Sequence, residues 1–171
     1  MRIEVAVSTA CDGWFADAAR VSERAARAAL AAGPARQRLR QIAGAAPSAA
    51  LAVVLADDVR VRALNAAYRD RDAPTNVLSF EDGERDPATG EVMLGDVVLA
   101  RETVLAEADA QGKRPLDHLA HLVVHGVLHL IGYDHQDAAE AATMEELERG
   151  VLAGLGIADP YAEPAGTVEE R

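Results

Sequence analysis

The chain has 171 residues, half of them apolar and 26% charged, with a formal net charge of −11 and one cysteine, Cys11. That length suits a single domain spanning residues 1–171 and buries a core without covalent staples. A lone cysteine excludes an internal disulfide and a cysteine-built metal site, so any metal must be held by His and carboxylates. No stretch approaches the roughly 18 apolar residues of a membrane span, and Met1–Val5 alternates like a strand rather than running apolar like an export signal. The expectation is a soluble, cytoplasmic protein with no membrane partner.

Charge is unevenly spread. Residues 1–72 hold 11 Arg against 8 Asp plus Glu, a net of +3, and residues 73–171 carry the remaining −14. The negative total therefore leaves room for a local basic surface facing a polyanion. Arg20, Arg24 and Arg27 recur at helical spacing and read as a solvated helix face, while Arg60, Arg62, Arg69 and Arg71 form a second group.

In chain order, residues 3–8 alternate apolar and polar as a half-buried strand does. An Ala-rich helix is predicted from about Asp17 to Ala32, closed by Gly33-Pro34, with a weaker helical segment to Gly44. Residues 49–55 are a continuous apolar run, predicted as a central strand covered on both faces. Asp58 is predicted to cap a helix to about Tyr68, with Val61, Leu64 and Tyr68 on its inner face. After a polar connector, residues 77–80 and 92–99 read as a hairpin with a long loop. Helices follow from Arg101 to Gly112 and from Pro115, at a first helical position, to Gly132. Asp137 and Glu140 resemble a capping box for a last helix whose apolar face holds Met144, Leu147, Val151 and Leu155; the tail beyond Pro160, from about residue 162, is expected to be loose. These elements predict an α/β (α+β) fold: a small mixed four-stranded sheet packed with five or six helices, one of them a zincin-like metal-binding helix.

All five histidines lie between positions 118 and 135. On a helix His125 and His129 stand one turn apart, close enough for both imidazoles to reach one ion. Gly132 supplies a left-handed turn that can bring His135 beside them. The pattern His125-x-x-x-His129-x-x-Gly132-x-x-His135 has the ligand spacing of metzincin-type zinc proteases. Three ligands leave a fourth position open, as catalytic zinc sites do. Gly126 stands where those proteases carry a glutamate base, which argues against peptide cleavage; zinc alone can still polarise a phosphoryl oxygen. Asp134 is a candidate base, or a turn residue or a partner that orients a ligand imidazole, and His121 with His118 either line the approach or serve packing.

The run from His125 to His135 resembles the signature of the YbeY family of endoribonucleases, as do Leu64-Asn65, Tyr68-Arg69, Pro74 to Phe80, Leu94-Gly95-Asp96 and the ending Leu155-Gly156 to Pro160-Tyr161. The resemblance implies a zinc-dependent, single-strand-specific endoribonuclease of 16S rRNA 3′-end maturation and ribosome quality control. Its partners would be ribosomal RNA and the small ribosomal subunit, its cofactor one Zn²⁺ per chain, and its catalytic residues Arg69 and His125. Arg69 can hold a phosphodiester bidentately; alternatively it pairs with Asp70 or Asp72. The rivals are a non-catalytic ribosome assembly factor with a structural zinc and a peptide hydrolase.

Overall fold

Short segments rich in Val, Leu and Ala pair into one sheet: β1 (Arg2–Thr9), β2 (Ser48–Ala56), β3 (Val77–Glu81) and β4 (Val92–Ala100). The computed structural model describes residues 1–162; the tail expected to be loose after about residue 162 lies outside the described residues. The spatial order is β1-β2-β4-β3, with β1, β2 and β4 parallel and β3 antiparallel to β4 as an edge strand. Among the described residues six helices accompany the sheet: α1 (Ala18–Ala31), α2 (Gly33–Ala43), α3 (Asp58–Arg69), α4 (Arg101–Ala110), α5 (Pro115–Leu130) and α6 (Ala138–Gly154). The mixed four-stranded sheet and the α/β class agree with the sequence reading. Among the described residues no helix is long and apolar enough to cross a membrane.

The main core lies on one face of the sheet, where Leu51, Val53, Leu55, Val97 and Leu99 meet the apolar sides of α1, α2, α5 and α6. α5 is the most apolar of these helices, with Leu119, Val123, Val124, Val127 and Leu128 all buried, so it sits fixed against the sheet. The expectation that β2 is covered on both faces needs correction. Ala50, Ala52 and Val54 are only half-buried, and the second cluster, under α3, joins Val61 to Ala56, Leu78, Val98 and Ala100. Alanine exposes little apolar area, so an unbroken apolar run at these positions does not demand a second cover.

Two local readings of α3 also change. The N-cap is Asp57, whose side chain accepts from the Arg60 N–H at 2.9 Å. Asp58 instead accepts from the Thr103 N–H at 3.2 Å and hydroxyl at 2.8 Å, while its own N–H donates to Glu102 at 2.9 Å, lacing the starts of α3 and α4 together. Tyr68 is 71% exposed rather than inward; its ring meets Phe80 edge-on at 5.6 Å, at the margin of the sheet. The capping of α6 is as read, with Asp137 accepting from the Glu140 N–H at 2.8 Å.

His118 is 4% exposed, and its Nε2 shares a 2.9 Å hydrogen bond with Glu107 of α4, which also accepts from Asn76 at 3.0 Å. It is a packing histidine. Burial pushes its pKa below the ordinary 6.5, outweighing the raising effect of Glu107. The folded state therefore favours neutral His118 while the unfolded chain takes up its proton near pH 6.5, so stability rises with pH. This contribution is whole above that pH and is lost as pH falls below it. In urea unfolding series between pH 7.5 and 5, His118→Gln, which can still reach Glu107, should lose less stability on acidification than the native chain. Parallel curves for the two proteins would contradict this assignment.

Candidate metal centre

The C-terminus of α5 turns where glycine permits it. Gly132 adopts φ 95°, its N–H donates to the His129 carbonyl at 3.0 Å, and the Tyr133 N–H donates to the Leu128 carbonyl at 3.1 Å. This pair of bonds is the Schellman closure, which satisfies carbonyls that the helix end leaves free. Tyr133 is buried beneath the Arg38 guanidinium, 3.8 Å from its ring centroid, and anchors the reversed chain. The Asp134 carboxylate then accepts from the His135 N–H at 2.7 Å. With the turn held at each step, His135 comes back over α5.

The three predicted ligands meet. One nitrogen from each of His125, His129 and His135 lies within 4.8 Å of the other two. His125 Nε2 and His129 Nε2 are 3.1 Å apart, and the His135 ring stacks near His125 with centroids 5.5 Å apart. Tetrahedral coordination at 2.0–2.1 Å would separate two ligand nitrogens by roughly 3.3 Å, so the pair is spaced as one ion requires. Burial, then the nearness of His125 and His135, holds the His129 pKa below the ordinary histidine range, favouring the neutral ring that a metal binds. The residues fit a metal ion held by imidazole nitrogens, a donor set suited to zinc and its neighbours rather than to calcium or magnesium.

These rings line a cleft of about 630 Å³. Its opposite wall is the edge strand β3 with the residues leading into it, Thr75 to Ser79, together with Arg69 from the end of α3. The family model described as Endoribonuclease YbeY matches residues 20–156. The chain belongs to the YbeY endoribonuclease family. It is 51% identical over 168 residues to the Endoribonuclease YbeY of Azorhizobium caulinodans, covering 96% of this chain and 99% of that one. It is 49% identical over 168 residues to that of Paramagnetospirillum magneticum, covering 94% and 97%. The solution structure of TM1509 from Thermotoga maritima aligns over 94% of this chain and 99% of its own at 19% identity, with a TM-score of 0.48.

Within this YbeY-family site, Arg69 is not the surface ion pair that its acidic neighbours suggested. Asp72 pairs with Arg62 at 2.8 Å, whereas the Arg69 guanidinium donates to the Ser79 carbonyl and lies 5.5 Å from the Phe80 ring centroid. Arg20 pairs with Asp17, just before α1, and Arg27 lies 3.9 Å from Glu23 while donating to the Ile3 carbonyl of β1 at 2.9 Å, so Arg27 also ties the helix to the sheet. Asp134 lines the cleft, but its hydrogen bond to the His135 N–H is that of a turn residue, and at 3.9 Å it is too far from His135 Nδ1 to hydrogen-bond it. His121 lines the cleft and His118 does not.

Gly126, where proteases carry a base, points away from the cleft. A Cβ there would lie 2.6 Å from Val97 Cγ1 and 3.1 Å from Ser79 Oγ, so the glycine is demanded by the close approach of α5 to β3 and β4. The Ser79 hydroxyl donates to the Gly126 carbonyl at 3.0 Å across the same contact. No side chain at this position can reach the histidines without displacing the sheet.

Two residues escaped the sequence reading. Glu148 of α6 is buried behind the cleft, and its carboxylate lies 2.7 Å from His121 Nε2 and 2.7 Å from His125 Nδ1. Burial pushes the Glu148 pKa up, but hydrogen bonds from His121 and His125, with help from Tyr161, outweigh it and hold it at about 2. Tyr161 is part of the site rather than of a loose tail: its hydroxyl donates to Glu148 at 2.5 Å and its ring meets His121 edge-on at 5.4 Å. The available signal was a glutamate falling on the same helical stripe as Met144, Val151 and Leu152.

Proposed function

We propose that this chain is a zinc-dependent endoribonuclease that cleaves single-stranded RNA and acts in the cytoplasm in 16S rRNA 3′-end maturation and ribosome quality control, with ribosomal RNA and the small ribosomal subunit as its partners. The carrying observation is the convergence of His125, His129 and His135 on one side of a cleft whose other wall presents Arg69. Family membership supports RNA as the substrate class, and the ribosomal setting rests on the motif resemblance alone.

When bound, zinc supplies Lewis-acid polarisation of a phosphoryl oxygen and lowers the pKa of its water to about 7. The chain does the rest. His125, His129 and His135 hold the ion, and the described residues contribute no fourth ligand to this group, which leaves room for substrate. Arg69 presents a planar fork of donors that can grip a phosphodiester and orient it toward the histidines. The Ser79 carbonyl keeps that guanidinium at the cleft wall. Asp134 and His121 engage His135 and Glu148, so they shape the cleft. Arg69 stands in the cleft lining beside Glu81 and Asp134, so a polyanion is drawn there by that guanidinium and the bound ion rather than by a broad basic surface.

The test compares chelated and zinc-reloaded protein on one RNA offered single-stranded and as a duplex. Cleavage should require zinc and the single strand; equal cleavage by the two protein forms would contradict the proposal. Arg69→Lys keeps the charge but loses the fork, and should lower kcat/KM about ten- to a hundredfold with zinc content unchanged, the size of one or two charge-assisted hydrogen bonds of about 1.5–3 kcal/mol. An unchanged kcat/KM would remove Arg69 from the mechanism.

A further inference from the structure

The buried side of α6 is interrupted by Glu148, which is 0% exposed and among the largest fully buried side chains. A charge taken out of water costs several kcal/mol unless hydrogen bonds satisfy it, and apolar residues of similar size often stabilise a fold equally well or better. Core packing therefore does not call for a carboxylate here. What the carboxylate does is visible in how its oxygens divide. Oε2 faces His125 Nδ1 at 2.7 Å, while Oε1 faces His121 Nε2 at 2.7 Å and the Tyr161 hydroxyl at 2.5 Å.

A contact of 2.7 Å between a ring nitrogen and a carboxylate oxygen is a hydrogen bond, and with the carboxylate as acceptor the nitrogen of His125 that faces it carries the proton. The lone pair of a neutral ring then falls on Nε2, the atom 3.1 Å from His129 Nε2. One side chain thus selects both the tautomer of His125 and the direction of its ring. Its second oxygen gathers His121, one helical turn earlier on α5, and Tyr161 into the same network, tying three elements of the cleft wall together.

We propose that Glu148 is a positioning residue of the metal centre: its Oε2 holds His125 with the proton on Nδ1 and presents Nε2 to the ion, and its Oε1 fixes the neighbouring wall through His121 and Tyr161. This rests on the metal-binding reading of the three histidines. Partners that orient a ligand histidine in this way contribute 10–100-fold to metal affinity, and zinc affinity is therefore the quantity to measure.

The experiment compares full-length wild type, Glu148→Gln and Glu148→Met by chelator competition for zinc, by the visible absorption of the cobalt-substituted proteins and by thermal unfolding without metal. Glu148→Met should bind zinc about 10–100-fold more weakly and shift the cobalt spectrum, and Glu148→Gln should lie between it and wild type. If both variants fold and bind zinc as tightly as wild type, the inference is overturned while the metal reading stands. If wild type itself binds no zinc, the metal reading fails. Should Glu148→Met not fold, nitrogen-resolved NMR of zinc-loaded wild type decides: a proton on His125 Nδ1 supports the inference, and metal on Nδ1 overturns it.

Discussion

Replacing His129 by alanine is expected to leave a folded chain that no longer retains zinc at one ion per molecule and cleaves single-stranded RNA no faster than background. The His129 ring sits on the cleft side of α5, and its side chain's hydrogen bond is the 3.1 Å contact to His125. The residues that hold α5 to the sheet, Val123, Val124, Val127 and Leu128, are untouched. Two imidazoles remain, and the loss in zinc affinity should exceed the 10–100-fold that supporting residues around a metal site contribute. Metal analysis, circular dichroism and cleavage on one preparation check this together. A structural zinc predicts a different result: the variant would unfold when the ion is lost.

The largest effect on stability is expected at Gly95. The strand β4 breaks register against β2 between Ala50 and Leu51, where Met93 and then Gly95 are the partners, and Gly95 adopts φ 135°. A Cβ there would stand 2.0 Å from the carbonyl oxygen of Phe80 and 3.0 Å from Leu130 Cδ2. The obstacle is backbone on the paired strand, so no rotamer change relieves it. Strained backbone costs about 1–3 kcal/mol and overpacking about 1–3 kcal/mol, which places Gly95→Ala near 4 kcal/mol of destabilisation. That is a large part of the roughly 5–15 kcal/mol that holds a domain folded. Because β3 also forms the cleft wall, what folds should lose RNA cleavage as well. Chemical denaturation of the purified variant, with a midpoint unchanged from wild type, would show that the bulge relaxes more easily than its geometry implies.

The metal centre was legible because its ligands fall within one stretch from His125 to His135, where helical spacing and one glycine determine the geometry. The strands were legible for a similar reason, since β1 alternates apolar and polar residues and β2, β3 and β4 are short apolar-rich segments. What local pattern did not carry was contact across the fold. A continuous apolar run cannot say whether alanines at 50 and 52 are covered, and adjacent aspartates at 57 and 58 offer the same cap, so tertiary pairing with Thr103 decides between them. Arg69 had acidic neighbours in sequence, but its carbonyl partner comes from β3. Gly126 read as a missing base, and only the approach of Val97 shows why a side chain is excluded. Glu148 was overlooked among the glutamates of α6, although its place on the stripe of Met144, Val151 and Leu152 turns it inward.

The proposed function requires three imidazoles to hold one ion and leave it open to the cleft. Anomalous scattering from a zinc-loaded crystal, recorded on either side of the zinc absorption edge, tests it most directly. The expected map has one strong peak per chain, roughly 2.0–2.1 Å from a nitrogen of each of His125, His129 and His135, with no further protein ligand. A peak elsewhere, or one closed by a fourth side chain, would contradict the account.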